Sequence, residues 1–500
     1  MRTGEISRDA GLSSWEGVCF NRHMPRFTGF SPVPIRGPRA LPFFGPQAAF
    51  LRLLADPVGR TMALHSRYGD VVAAADRCPA VVAVFGAERN REVLSTTAVF
   101  DNDGEFLLKP PAGSFLEQLS RGLLFQTGEG HRRHRRLMMP AFQKAAIDGH
   151  APEIVGVTSK VLETWPVGQT ADVAALTREL VQHVAVWCLF GLDDTSGDHG
   201  LGRVAGEVVD LLTSPLTVAL PFAFPGGPYS RLLEVSAELV RLLRELLEEK
   251  RRTSAGGKDA LALMLRAHDE DHSPFGDDEL FGEMVTLFVA GHDTQARTLA
   301  WTLFLLGQHP KVLADVLDEI DGVLRGGPPT LSHVPRLVLV DRVLKESMRV
   351  LAPVPILFLK VAQTDTHLGS YTVPRGTNVV VCPFVTHRDP ERFPEPRRFK
   401  PERWERLQPT IYEYLPFGAG PRMCIGAAFA TLTMRLILPM ILQRYRMTLA
   451  YGARVSRIVR GNILAPRYGL PMLIAPQDRR LARREHVRGD IPEVVDLSRD

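Results

Sequence analysis

Apolar positions in this chain recur mostly every three or four residues and alternate with polar ones only in short runs. The pattern predicts a mainly α protein with a smaller β portion. A helical stretch runs to His65. Residues 70–75 and 80–85 then read as two strands with a turn at Cys78–Pro79, the start of a small β-rich region near the N-terminus. From 87 to about 325 the spacing is helical. It predicts a short helix at 88–95, helices through 157–190 and 201–213, a charged helix at 231–252, and a long one opening near Asp277, where acids suit a first turn. This last helix holds the longest apolar stretch, near 280–306. His292, Asp293 and Arg297 interrupt it, which marks a buried central helix rather than a membrane span. Beyond it come a helix at 339–351, a hairpin at 369–382 turning on Pro374, Arg375 and Gly376, and a final helix after Cys424. The expected organisation is a flexible segment at 1–30, one large domain at 31–476 and a charged tail at 477–500.

Composition narrows the function classes. Of 500 residues, 45% are hydrophobic, enough for a large core, and the net charge of +4 is spread along the chain, which gives no case for nucleic acid as a partner. The five cysteines are scattered, so neither a disulfide framework nor a zinc ribbon is expected. The N-terminus has no apolar core of a signal peptide and no spanning run, so a soluble, cytoplasmic monomer is expected.

Four stretches carry chemistry. FGAGPRMCIG (417–426) sets Cys424 in a glycine-rich loop just before a helix, where backbone N–H groups and the helix dipole stabilise a thiolate; the alternative is an ordinary buried cysteine. AGHDT (290–294) puts an acid, Asp293, and an alcohol, Thr294, in mid-helix beside two small residues. The Thr hydroxyl can bond back to the carbonyl four residues earlier and open a polar groove, or the stretch is simply an exposed turn. In KESMR, Glu346 and Arg349 form an i,i+3 pair flanked by apolar residues; burial would require a third partner, for which Arg403 is the candidate. In TGEGHRRHRR, His131 and Arg135 share a helix face while Arg132, Arg133 and Arg136 point elsewhere. The linker at 214–230 is apolar and Pro/Gly-rich, which suggests a lid or a patch touching substrate or membrane.

In this order, over roughly 34–476, the four stretches resemble one family: the cytochromes P450, haem-thiolate monooxygenases of bacterial, soluble type. FGAGPRMCIG is similar to the family's Phe-x-x-Gly-x-Arg-x-Cys-x-Gly loop at every defined position. The resemblance implies the cytochrome P450 fold and a haem b cofactor with Cys424 as the axial thiolate to its iron. Phe417 would shield the sulfur, Gly426 and Ala290 would lie against the cofactor, and Arg422, His131, Arg135 and Lys360 would meet the propionates. It implies that Asp293 and Thr294 deliver protons during dioxygen activation, and that Glu346, Arg349 and Arg403 are structural. Three positions depart from the common pattern: His131 stands where many members have Trp, Lys360 where they have Arg, and Trp404 where they have Phe.

The implied reaction is hydroxylation or epoxidation of a lipophilic small molecule such as a fatty acid, terpene, steroid or polyketide. Electrons would come from a separate ferredoxin or flavodoxin with its NAD(P)H-dependent reductase, docking on Arg132, Arg133, Arg136 and Lys144. Candidate pocket residues are Phe106, Leu107, Phe115, Phe222, Phe224, Val289, Ala290, Val354, Ile356 and Leu357, with no arginine set apart as a carboxylate anchor. The alternatives are a peroxide-driven peroxygenase, which would not need Asp293 and Thr294, and a non-catalytic haem-binding protein.

Overall fold

The structure is a computed structural model that describes residues 29–40, 50, 52–102, 115–192, 200–212, 214, 216–217, 222–253, 257–268, 273–480 and 487–497. Its first part is a small β region. Helix α1 (Pro57–Tyr68) leads to β1 (Val71–Ala75) and β2 (Cys78–Val84), then α2 (Ala87–Leu94) and β3 (Phe100–Asn102). With β5 (Lys360–Ala362) and β8 (Asn378–Val381), contributed from far along the chain, these form a five-stranded sheet in the order β1-β2-β8-β5-β3. The sheet buries both faces, one against Phe100, Leu94 and Leu415 and the other against Phe50, Phe85 and Val385. Its strands are therefore almost continuously apolar, as β1 and β2 are.

The helical body follows. It comprises α3 (Phe115–Ser120), α4 (Gly128–Met138), α5 (Lys144–Gly149), α6 (Ala151–Glu163), β4 (Thr170–Asp172), α7 (Val173–Phe190), α8 (Leu201–Leu212), α9 (Pro228–Thr253) and α10 (Ala260–Leu265). At its centre lies α11 (Asp277–Gln308), 32 residues and so about 48 Å long at 1.5 Å per residue. Asp277, Asp278 and Glu279 fill its first turn, and the Glu279 carboxylate accepts from Gly276 N–H at 2.8 Å. Apolar on nearly every side, α11 is buried along most of its length. Helices α12 (Pro310–Leu324), α13 (Val338–Val350), α14 (Pro383–Thr386) and α15 (Ala427–Arg444) complete the body. The remaining strands form β6 (Thr366–Leu368) with β7 (Tyr371–Val373), β10 (Arg457–Arg460) with β11 (Ile463–Pro466), and the sheet β4-β12-β9, from β9 (Tyr445–Leu449) and β12 (Pro471–Pro476). Among the described residues one helix, α7, is long and apolar enough to cross a membrane; 61% of it is buried inside the fold.

The helices expected through 157–190 are α6 and α7, with β4 between them. Three expectations change. The β1–β2 turn falls at Asp76–Arg77, with Arg77 at φ 59°, and Cys78 already pairs with Ala75. Residues 369–382 are not a hairpin: β7 pairs back with β6, whereas β8 joins β2 in parallel, because its continuous apolar run belongs inside the sheet. The tail at 477–500 is in part built into the fold. Within it, Ile491, Val494 and Val495 are at most 1% exposed, Arg488 N-terminal to them bridges Arg454, and Asp496 bridges Arg398. The flexible segment at 1–30 lies almost wholly outside the described residues.

The returning segment also satisfies a buried cation. Arg388 Nη2 donates to the Val494 carbonyl at 3.1 Å and its guanidinium lies 3.5 Å from the Phe384 ring centre. A chain ended after residue 480 loses three buried aliphatic side chains worth roughly 1.5–3 kcal/mol each. Thermal unfolding followed by circular dichroism should show it several kcal/mol less stable, and an unchanged midpoint would mean that the segment holds nothing.

Candidate active site

A cavity of about 320 Å³ lies between α11 and the loop preceding α15. That loop needs its glycines: Gly418 and Gly420 both have φ 70°, and a Cβ on Gly420 would come to 1.8 Å from the Leu94 carbonyl oxygen. Cys424 N–H donates to the Phe417 carbonyl at 2.9 Å, and Gly426 caps α15. The surface that Cys424 exposes faces the cavity, which Phe417 and Gly426 also line. Burial raises its thiol pKa, opposed by the Gly426 N–H and the Arg135 charge. The local N–H groups therefore do not by themselves produce the thiolate that the helix start suggested.

Helix α4 divides its residues among three surroundings. His131 and Arg135 line the cavity, and Arg135 Nη1 donates to the Met423 carbonyl at 2.8 Å. Arg133 and His134 turn to α11, Arg133 binding Glu279 at 2.9 Å and His134 Nδ1 lying 2.6 Å from Glu283 Oε1, a wholly buried carboxylate. Arg132 and Arg136 face solvent and share Glu129, while Lys144 pairs with Asp148. Arg133 thus leaves the basic face expected for a docking partner, because Glu279 holds it.

Lys360 and Arg422 complete a cationic rim. Lys360 is 4% exposed, donates to Asn102 Oδ1 at 2.7 Å, and is lowered to about 8, chiefly by burial and then by Arg422. His131 is lowered to about 4 by burial and the neighbouring Arg422 and Arg135, so it is neutral at pH 7. Arg422 gives Nε at 2.9 Å and Nη2 at 2.6 Å to Asp101, whose other oxygen accepts from Gly128 N–H. Asp101, overlooked in the sequence because it lies 321 positions away, ties the sulfur loop to α4. Among the described residues Arg422 Nη1 remains a buried donor without a partner. A lone sulfur and cations gathered at one rim fit a flat anionic cofactor such as haem. Among the described residues no cluster of three or more metal-ligating side chains occurs elsewhere.

Across the cavity, α11 presents Ala290, Gly291 and Thr294. Thr294 Oγ1 lies 3.4 Å from the Ala290 carbonyl oxygen, the back-bond the sequence suggested, and Gln295 Nε2 donates to Gly291 at 2.7 Å. Asp293 turns away to Arg297 at 3.2 Å and Arg178 at 3.7 Å. Both arginines line a separate, charged cleft of about 690 Å³. The acid therefore stands between that cleft and the cavity wall.

Glu346 and Arg349 are wholly buried. Arg349 binds Glu346 through Nε at 2.9 Å and Nη2 at 2.8 Å, and its guanidinium also donates to the carbonyls of His387, Pro396 and Arg398. Arg403 Nε reaches Glu346 at 2.9 Å, as does Lys400 N–H. Trp404 Nε1 donates to Glu346 at 2.9 Å, a bond that a phenylalanine could not make.

Of the expected pocket residues, Val289, Ala290, Val354 and Leu357 line the cavity. Ile356 packs instead on the sheet core, since neighbours in an extended chain face opposite ways. Phe222 and Phe224 are exposed and meet at a tilt with ring centres 5.6 Å apart, and neither lines the cavity. Phe106, Leu107 and the side chain of Phe115 lie outside the described residues. Leu123, Leu124, Leu287 and Phe358 line the cavity unforeseen, as do Asn462 and Ile463 from the β10–β11 turn. Long-range bonds between Leu464 and both the Pro353 carbonyl and the Trp301 indole bring that turn there.

A family model described as Cytochrome P450 matches residues 35–470. The chain is 34% identical over 366 residues, 71% of its length and 78% of the relative's, to a Streptomyces melanosporofaciens protein named cyclooctat-9-en-7-ol 5-monooxygenase. It is 29% identical to a pentalenene oxygenase of Streptomyces avermitilis, covering 75% of this chain and 84% of that one. A solved structure described as the cytochrome P450DA heme domain superposes with a TM-score of 0.77 at 25% identity, over 91% of this chain and all of that chain. Retinoic acid bound cyanobacterial CYP120A1 also gives 0.77, at 24% identity and 89% coverage.

The Glu346 cluster yields a graded stability series. Trp404→Phe keeps the ring but removes one donor from a buried carboxylate, a loss of about 1–3 kcal/mol. Glu346→Ala leaves two guanidinium groups without their anion and should cost about 3–5 kcal/mol. Chemical denaturation midpoints check the order, and equal midpoints for Trp404→Phe and the parent would show that the indole bond contributes nothing.

Proposed function

The chain belongs to the cytochrome P450 family, haem b monooxygenases, and from that footing we propose that it hydroxylates a terpenoid, with Cys424 as the residue that would hold the haem iron. The observation that carries the reading is the cavity itself: Cys424 at one wall, Thr294 at the other, and an apolar lining between. Two similar proteins carry terpenoid substrates in their names, which supports this substrate class over fatty acids.

Haem bound here supplies the reduction of dioxygen to an oxidant able to attack C–H bonds. The chain's residues do the rest. Cys424 would hold the iron through its sulfur, the charge of the metal favouring the thiolate that burial disfavours. Arg422, Arg135, Lys360 and His131 receive the propionates; Arg422 brings a donor still unused, and His131 donates as a neutral imidazole. Thr294 holds water at the distal wall, and Asp293, fixed by Arg297 and Arg178 beside the charged cleft, passes protons inward. The apolar walls keep bulk water from the reacting carbon.

A separate ferredoxin or flavodoxin brings the electrons. Its docking surface is the solvent side of α4 with Lys144, smaller than the sequence suggested: Arg132 and Arg136 face solvent there, whereas Arg133 is held by Glu279. The scattered cysteines suit a reducing cytoplasm.

Three measurements test this. The reduced, carbon monoxide-bound protein should show the long-wavelength band of thiolate haem, and Cys424→Ser should abolish it; survival of the band would remove Cys424 as ligand. Terpenoids should shift the ferric spin state while fatty acids do not, and NADPH-driven turnover with a ferredoxin should exceed peroxide-driven turnover. Lys360 gives a pH signature. Its folded pKa of about 8 without a counter-anion rises beside a propionate, so above pH 8 haem binding must take up a proton. Haem loss to a scavenger globin should therefore quicken as pH rises above 8, and Lys360→Met should remove that dependence.

A further inference from the structure

The polar residues that line the cavity fall mostly into two sets. His131, Arg135, Lys360, Arg422 and Asn102 gather at the cofactor rim, while Thr286, Thr294, Gln295 and Thr298 lie along α11, Thr294 at the oxygen-activating wall. Asn462 belongs to neither. It sits in the two-residue turn joining β10 to β11, where Arg460 pairs with Ile463 and Gly461 takes the positive φ of 59° that such a turn needs. Its neighbours divide across the turn. Arg460 lines the outer charged cleft, whereas Asn462 and Ile463 line the cavity.

The turn is held firmly. Leu464 N–H donates to the Pro353 carbonyl at 2.9 Å, and the Leu464 carbonyl accepts from Trp301 Nε1 at 3.1 Å. The strand is thus tied to the exit of α13 and to the central helix. A tip fixed in this way presents its side chain at little entropic cost. Among the described residues the Asn462 side chain has no hydrogen bond of its own, and the residue is half-buried where it lines the cavity. Thr286 and Gln295 also line this cavity with unpartnered oxygens, but those atoms are sealed from any approaching molecule. Asn462 is the accessible one.

We propose that Asn462 selects, within the terpenoid class proposed above, a substrate that already carries a hydroxyl group. A pure hydrocarbon filling the cavity strips water from the amide and returns nothing, so the polar group is left buried and unpaired. A hydroxyl both donates and accepts, matching the amide's C=O and NH₂ together, whereas a ketone can only accept. A carboxylate finds its cations only at the cofactor rim, so an acid is not favoured. The substrate must then come from a reaction that leaves oxygen on the skeleton: a cyclisation ended by water, or an earlier hydroxylation.

The test is spin-shift titration of the haem-loaded enzyme with matched pairs, adamantane against 1-adamantanol and cedrene against cedrol. The adamantane cage can turn freely, so the position of its hydroxyl does not bias the result. Each alcohol should bind about tenfold tighter than its hydrocarbon, as about 1.4 kcal/mol gives. In Asn462→Leu the preference should fall to about one while hydrocarbon affinity holds or improves, and Asn462→Ser should keep part of it. Equal binding by the parent enzyme, or a preference that survives in Asn462→Leu, overturns the inference and leaves the terpenoid reading standing. If no terpenoid shifts the spectrum and a fatty acid does, the substrate class itself falls and takes this inference with it.

Discussion

One carboxylate organises the sulfur side of this molecule. Glu346 is wholly buried, a position that would be prohibitive for an unpaired charge, and it is tolerated only because donors converge on it from Arg349, Arg403, Trp404 and the Lys400 backbone. Those donors come from two separate stretches, α13 and the run at 387–405. Arg349 in turn satisfies three carbonyls of that irregular run, which has no ladder of its own to pair them. Without Glu346 the coil at 387–405 would have no reason to adopt one path. The returning segment at 487–497 grips the same coil from outside, through Arg397, Arg398 and Arg388.

With that frame fixed, charge is sorted by location. Cations collect at one rim of the cavity, acids and arginines in the outer cleft, and apolar side chains between them. The rim is overloaded with positive charge, and the structure manages this in three ways: His131 is neutral, Lys360 has a weakened hold on its proton, and Asp101 neutralises Arg422. Each is a response to burying like charges together, and each is relieved when an anionic cofactor arrives. The same logic puts Asp293 on the far side of α11, where arginines can hold it without bringing a charge into the apolar chamber.

The parts legible in the sequence were those written in contiguous residues. FGAGPRMCIG, AGHDT and KESMR each encode local geometry, and α11 announces itself through its length and buried character. Helix α4 was legible to half a turn, because periodicity separates His131 from Arg132 but cannot say that Arg133 meets Glu279, 146 positions away. The run at 369–382 misled for a related reason. Alternation identifies strands, yet the choice of partner for β8 rests on a parallel pairing with β2, some 300 residues back, that no turn signals. Charge misled at the C-terminus: the arginines of the tail are conspicuous, while the three apolar residues that dock it are few and spaced as a single short turn.

The same division explains why chemistry and selectivity differ in how openly the chain declares them. The reacting wall is a helix, and its residues hold their relation to one another whatever surrounds them. The selecting wall is assembled from α3's following turn, the exit of α13 and the tip of β10–β11, elements that meet only after the whole body has folded. A substitution at Asn462 changes no pattern of hydrophobicity and breaks no bond within the protein, so the fold imposes almost nothing on that position. The residue nevertheless lines the apolar chamber from a turn whose following strand is anchored to Trp301 and Pro353. A position so rigid in backbone and so unconstrained in side chain can be tuned to a substrate independently of the oxygen chemistry across the cavity.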